Sequence, residues 1–253
     1  MPRGRGARLS PGEEVVAGRR AALEAVRAGL ARAVLLDARA RATPGLRSLE
    51  EAARRAGVEL QRAPRSELDR LAEDHRGVVA VLAGGAPTLA ERDLATLALA
   101  DDALAVVLDG IEDPQNLGAA ARVAEVAGAA LLVTRRRRAA PVSAAAIRAS
   151  AGALLHLPHL RAANVARAIE RLQAVGFTVV GLAGEADRTV YDEPAPPGRL
   201  AIVVGAEGAG LSRLVRERCD LLVSLPMRGK VGSLNAATAL AAALYAYALP
   251  RSG

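Results

Sequence analysis

The sequence predicts an α/β protein whose main part is a parallel sheet covered by helices, preceded by a smaller α/β unit. Three observations carry that prediction. Strand-like apolar runs alternate with amphipathic segments of helix length along most of the 253 residues. Runs such as Leu104–Leu108 are apolar at consecutive positions, as strands buried on both faces are. Three polar, glycine-bearing turns stand at or just beyond strand ends, the place where such sheets bind ligands.

The elements follow in order. Residues 1–14 read as a basic flexible arm. The first unit spans residues 15–84. A helix at Ala17–Ala28 ends at Gly29, and a strand follows at Ala33–Asp37. A helix at Leu46–Ala56 is closed by Gly57, with a short strand at Val58–Gln61. Ser66 caps a helix at Ser66–Leu71, and Val78–Ala83 is a strand. Gly84-Gly85-Ala86-Pro87 breaks the pattern and opens a linker over 85–103, with a helix expected at Thr88–Leu99. The second unit, 104–253, alternates again. Strands are expected at Leu104–Leu108, Ala130–Thr134, Phe177–Leu182, Leu200–Val204 and Leu221–Leu225. Helices are expected at Asn116–Ala127, Ser143–Ser150, Asn164–Val175, Ser212–Arg218 and Leu234–Leu249.

Composition narrows the function. The net charge of +7 suggests a polyanionic partner. Lys230 is the only lysine, so part of the arginine surplus reflects coding bias, yet it clusters in Arg3–Arg8 and Arg135–Arg138. The four-arginine run is either a solvated loop or a contact to RNA phosphates. Phe177, Tyr191, Tyr245 and Tyr247 are the only aromatics, which argues against a base-stacking platform. A lone Cys219, read as a buried small residue, excludes an internal disulfide and a cysteine metal cluster. His75, His156 and His159 are scattered, and the latter two, flanking Pro158, read as surface residues; no metal is expected. Apolar runs stop short of a membrane span, and the start Met1–Gly6 lacks an apolar core, so a cytoplasmic protein is expected.

The three turns carry the chemistry. The first is Asp113-Pro114-Gln115-Asn116-Leu117-Gly118, followed by Arg122. The second is Gly205-Ala206-Glu207-Gly208-Ala209-Gly210-Leu211-Ser212. The third runs from Leu225-Pro226-Met227 through Ser233-Leu234-Asn235 into the last helix. Such turns present backbone N–H groups and short polar side chains to a ligand. A dinucleotide fold is the obvious rival. However, Gly205–Gly210 spells G-x-x-G-x-G after a late strand, and Glu207 within it would repel a pyrophosphate. Gly229-Lys230 lacks the spacing of a P-loop.

These three segments, in this order, resemble the motifs of the SpoU-type RNA 2′-O-ribose methyltransferases of the SPOUT superfamily, over residues 104–249. Residues 15–83 resemble the small ribosomal-protein-like substrate-binding domain that many members carry, through Val16-Ala17-Gly18-Arg19 and His75-Arg76-Gly77-Val78-Val79-Ala80. With Gly184-Glu185-Ala186-Asp187, the layout is most similar to the bacterial 23S rRNA guanosine-2′-O-methyltransferase group.

The resemblance implies a deep trefoil knot, S-adenosylmethionine (AdoMet) as cofactor, and a homodimer acting on RNA, with 23S rRNA foremost, DNA not expected and no membrane. Carried over by position, Gly205, Leu225 and Leu234 would touch AdoMet with Met227 packing nearby. Asn116, Arg122, Glu207, Ser233 and Asn235 would be the catalytic set. A guanidinium is a poor base, so Arg122 would orient RNA phosphate or polarise the 2′-hydroxyl. Asn116 would fix the nucleotide, Glu207 would hold Asn116 or the ribose, and Ser233 and Asn235 would complete the pocket. Two alternatives stay open: a tRNA ribose methyltransferase, and a non-catalytic RNA-binding or ribosome-assembly protein on the same fold.

Overall fold

The computed structural model describes residues 15–83, 88–230 and 232–249. The expected basic arm and the Gly84–Pro87 break lie outside them. In chain order the first elements are β1 (Val15–Ala17), α1 (Arg19–Arg27), β2 (Ala31–Asp37), α2 (Pro44–Arg55), β3 (Glu59–Ala63), α3 (Arg65–Leu71), β4 (Val78–Leu82) and β5 (Thr88–Leu89). Then come β6 (Leu104–Asp109), α4 (Pro114–Val126), β7 (Leu131–Arg135), α5 (Ala144–Ala149), β8 (His159–Ala162) and α6 (Val165–Ala174). The chain ends in β9 (Phe177–Leu182), β10 (Arg199–Gly205), α7 (Arg213–Arg218), β11 (Leu221–Val223) and α8 (Ala236–Ala243). Two compact units result, residues 1–86 with 142–156, and residues 87–141 with 157–253.

The first unit is built on a four-stranded sheet of order β1-β4-β2-β3. β2 pairs parallel with β3, and β4 runs antiparallel to β1 and β2. Thr43 caps α2 by accepting from Leu46 N–H, Pro44 opens the helix, and Gly57 (φ 68°) follows its end. Gly18 (φ 95°) turns the chain directly from β1 into α1, so the expected helix gives up its first residue to a strand. Pro64, not Ser66, stands at the start of α3. One sheet face buries Leu35, Val79 and Val81 with Leu68 of α3.

Segment 142–156 belongs to this unit: α5 packs on β1 and α1. Its approach requires Gly152 (φ 95°), where a Cβ would lie 2.4 Å from Glu24 Cβ. His156 Nε2 meets Glu24 Oε2 at 3.1 Å.

The second unit holds a seven-stranded sheet of order β11-β9-β10-β6-β7-β8-β5, parallel at every pairing among the described residues. All six residues of β6 are buried, as a central strand covered on both faces requires. α6 and α7 cover one face through Val165, Ile169, Leu172 and Val215 against Val107, Val133, Val179 and Val203. α8 lies on β10 and packs against α4. Strand order reverses between β6 and β10, which creates a crevice at their carboxyl ends.

Two expectations fail here. Thr88–Leu99 is not a helix: Thr88–Leu89 joins the sheet edge beside β8, and a 3-10 turn occupies Glu91–Thr96. Leu234–Leu249 becomes α8 from Ala236, ending in a π-helical turn at Leu244–Ala248. Asn235 caps its start, and that cap stops the helix from extending back.

Candidate active site

The all-parallel sheet puts the carboxyl ends of β6, β10 and β11 on one edge, with Gly205 in register with Asp109. The three polar turns therefore leave from the same edge. The first enters α4 under control of Asp113, whose Oδ1 accepts from Gln115 N–H at 3.1 Å, with Pro114 at the first helical position. That fixes Asn116 in the first turn of the helix.

The second turn curls back on its own strand. Gly210 N–H donates to Ala206 O at 2.8 Å, and Gly208 (φ 74°) and Gly210 (φ 67°) supply the left-handed backbone. A Cβ on Gly205 would lie 2.1 Å from the Gly210 carbonyl, so no other residue fits there. The curl leaves Glu207 exposed at its tip.

Asn235 belongs to the third turn. Its Oδ1 accepts from Ala237 N–H at 3.0 Å and Thr238 N–H at 3.3 Å, which aims the amide nitrogen away from α8.

The three side chains meet. Asn116 Nδ2 donates to Glu207 Oε1 at 2.8 Å, and Asn235 Nδ2 donates to the same oxygen at 2.6 Å and to Asn116 Oδ1 at 2.7 Å. Both amides are thereby committed, whereas Glu207 Oε2 accepts from nothing among the described residues. The cluster thus offers one open anionic acceptor in a fixed position.

The remaining predicted residues fall around this cluster in different ways. Arg122 is exposed, and its helix position lies about 9 Å along α4 from Asn116, turned to another face. It does not join the cluster. Ser233 is exposed and makes no side-chain hydrogen bond among the described residues. Met227 and Leu234 are 42% and 38% exposed, unusual for large apolar side chains, while Leu225 is half-buried.

Asp109 is a residue of this edge that the sequence reading passed over. It is buried, and its Oδ1 accepts from Arg135 at 3.0 Å while Oδ2 accepts from Ser212 N–H at 2.8 Å. It ties the end of the second turn to β6 and β7. A carboxylate closing an otherwise apolar strand was the available signal. Arg135 is thus an internal ion-pair partner. Arg137 and Arg138 line a cavity of about 250 Å³ with Asn164 and Ser212.

His159 is not a surface residue: it lies 1% exposed in β8, 2.8 Å from Thr134 Oγ1. Burial, with the charge of Arg161 adding to it, pushes its imidazole down to about 4. Cys219 is half-buried beneath α7, and burial pushes its thiol up to about 12, so it is unreactive. No group of three or more metal-ligating side chains gathers among the described residues.

Comparison with known proteins fits this geometry. Residues 103–245 match the SpoU rRNA methylase family, and residues 15–86 match the RNA 2′-O ribose methyltransferase substrate-binding domain. The chain is 42% identical over 192 residues to the 23S rRNA (guanosine-2′-O-)-methyltransferase RlmB of Salmonella typhi, spanning 75% of this chain and 78% of that protein. Its counterpart in Escherichia coli K12 is 41% identical over 199 residues, 78% of this chain and 81% of that one. Among solved structures, the SpoU methyltransferase AviRb from Streptomyces viridochromogenes, in complex with AdoMet, superposes with a TM-score of 0.77 at 31% identity, covering 95% of this chain and 91% of that one. With both the matched length and the shared sequence this extensive, the chain belongs to the SpoU rRNA methylase family.

Proposed function

We propose that this protein transfers the methyl group of AdoMet to the ribose 2′-hydroxyl of a guanosine in 23S rRNA. The single observation that carries the reading is the Asn116–Glu207–Asn235 junction, in which three separate turns hold one carboxylate oxygen open. The names of the RlmB relatives supply the substrate class, and the AdoMet complex of AviRb supplies the cofactor.

The residues present fit that cofactor. Met227 and Leu234 leave large apolar side chains exposed on the third turn, Leu225 is half-buried at its start, and Gly205 ends β10 at the same sheet edge, apolar and backbone surface of the kind an adenine ring takes. Bound there, AdoMet supplies an electrophilic methyl group. Glu207 Oε2 accepts from the 2′-hydroxyl, aligns its oxygen and takes its proton as that oxygen bonds the methyl carbon and the carbon–sulfur bond breaks, while Asn116 and Asn235 keep Glu207 from swinging away. Ser233 offers a further hydroxyl to the ribose. Arg122, whose guanidinium is a poor base, holds the RNA phosphate rather than taking the proton. The same reading implies the trefoil knot, a cytoplasmic place of work, and a division in which the first unit reads RNA and the second carries the chemistry. Residues 88–89 of the expected 85–103 linker instead form the β5 edge of the second unit's sheet, and 142–156, expected within catalytic 104–253, belongs to the first unit, which otherwise keeps the expected 15–84. Val126 (64% exposed) and Tyr245 (53% exposed) leave apolar surface at the ends of the packed α4 and α8 helices, which favours a homodimer.

The test is nucleoside mass spectrometry of deproteinised 23S rRNA incubated with protein and AdoMet. Wild type should yield 2′-O-methylguanosine. Arg122→Ala should yield none while AdoMet affinity by calorimetry stays within about threefold. Methyl transfer to a base, or none by the wild type, overturns the reading.

A further inference from the structure

We infer that the N-terminal unit carries its own nucleotide pocket, built for one unpaired RNA nucleotide and separate from the methyl-transfer site. The inference rests on the RNA-methyltransferase reading. A cavity of about 420 Å³ opens at the β1–α1 corner, and every residue lining it belongs to that unit. Its size suits a single nucleotide rather than a free phosphate.

The lining has two parts. Ala17, Ala21 and Ala151 put methyl groups on its inner surface. Arg19, Arg20, Arg76 and Arg148 also line it, on a surface that is mostly apolar, and Asp74 is the single acidic residue among them. Two of the four are occupied: Arg19 donates to Thr43 Oγ1 at 2.9 Å, and Arg148 donates to Glu73 O at 3.2 Å with Asp74 at 3.9 Å. Arg20 and Arg76 have no hydrogen-bond or ion-pair partner among the described residues. Like charges gathered round one hollow repel each other, and an anion between them removes that cost.

Backbone strain marks the same place. Among the described residues four non-glycines have positive φ, and three of them, Asp74 (49°), Arg76 (49°) and Ala151 (53°), line this cavity. Such conformations persist only where the surroundings enforce them. Beneath the rim His75 is 2% exposed and locked, with Nδ1 accepting from Gly77 N–H at 2.9 Å and Nε2 at 2.8 Å from Asp69. The backbone of the rim at Asp74–Gly77 is thus held in place before any ligand arrives.

An apolar floor under planar cations fits a base lying flat, its phosphate on Arg20 and Arg76. Asp74, the one acceptor, faces the exocyclic amine or the ribose hydroxyl. A base within a duplex cannot reach such a floor, so the ligand is unpaired.

The experiment uses the full chain, deproteinised 23S rRNA, ultraviolet cross-linking with peptide mapping, and steady-state methylation. Wild type should cross-link through peptides containing Gly18–Ala21 or Arg76. The double variant Arg20→Ala/Arg76→Ala should lose that adduct and raise KM for rRNA on the order of tenfold, with kcat and AdoMet affinity held within about twofold. Its salt dependence of RNA binding should flatten. An unchanged KM, with the wild type active, overturns the pocket and leaves the catalytic reading standing. If the wild type transfers no methyl group, an adduct at these peptides keeps the pocket and removes the catalytic reading. Absence of the adduct removes the pocket.

Discussion

Asp109 closes β6, and Glu207 stands two residues past the end of β10, on the neighbouring strand. Their surroundings differ at every point. Asp109 is 2% exposed, and both of its oxygens are engaged, one by a guanidinium and one by a backbone N–H. Glu207 is exposed, and one oxygen takes both amide donors while the other takes none among the described residues. A buried carboxylate must be fully partnered, because an unpaired charge away from water is costly. An exposed one can keep an oxygen free, and three turns converging to hold it still is more than stability requires. The contrast separates framework from chemistry at one sheet edge, where residue type alone does not.

The largest expected effect lies on the Glu207 side. Glu207→Ala should lower kcat by a factor on the order of 10² to 10³, equal to about 2.7–4 kcal/mol of transition-state stabilisation. Its urea midpoint should stay close to wild type, since the side chain is exposed. A large loss of stability with a normal rate per folded molecule would move Glu207 to the framework.

Asp109→Ala should invert that pattern. It strands Arg135 and Ser212 N–H, and because Arg135 is 33% exposed the cost belongs at the low end for a broken buried pair, about 3 kcal/mol. Urea unfolding measures it. The rate of the folded fraction should fall far less than in Glu207→Ala, and an equal fall would dissolve the distinction between the two carboxylates.

What the sequence made legible follows the same line. β6, β9 and β10 announce themselves because burial on both faces leaves mostly apolar residues, and α6 shows its Asn164 cap and its Gly176 stop. The Asn116, Glu207 and Asn235 turns were visible as motifs, and the resemblance set Glu207 against Asn116 or the ribose; that Asn235 joins them at the same carboxylate oxygen depends on strand order, which no local pattern encodes. Short elements toward one end of the sheet were missed for the opposite reason. β5 has two residues and β8 four, too few for a period, and the helix expected at Thr88–Leu99 was drawn from apolar spacing that tertiary pairing overrides. The docking of 142–156 on α1 turns on Gly152, a glycine whose role appears only once Glu24 stands beside it.

His159 sharpens the comparison, because it is as buried as Asp109 but only half partnered. Nε2 has Thr134 Oγ1 at 2.8 Å, and Nδ1 has no partner among the described residues. Burial and Arg161 hold the folded imidazole at about 4, against 6.5 for the ordinary group. Above pH 6.5 the ring is neutral in folded and unfolded chains alike, and stability does not depend on it. Between pH 6.5 and 4 the unfolded chain takes up a proton that the folded chain refuses, so stability falls as pH falls, and it levels off below the folded value. The slope is close to 1.4 kcal/mol per pH unit, which amounts to about 2 kcal/mol between pH 7.5 and 5. Urea unfolding of wild type and His159→Gln at those two pH values isolates the term, since the acidic groups titrate in both proteins. The wild type should lose about 2 kcal/mol more than the variant on acidification. Equal losses would mean that the folded chain accepts the proton, and burial at this edge of the sheet would then not demand full partnering.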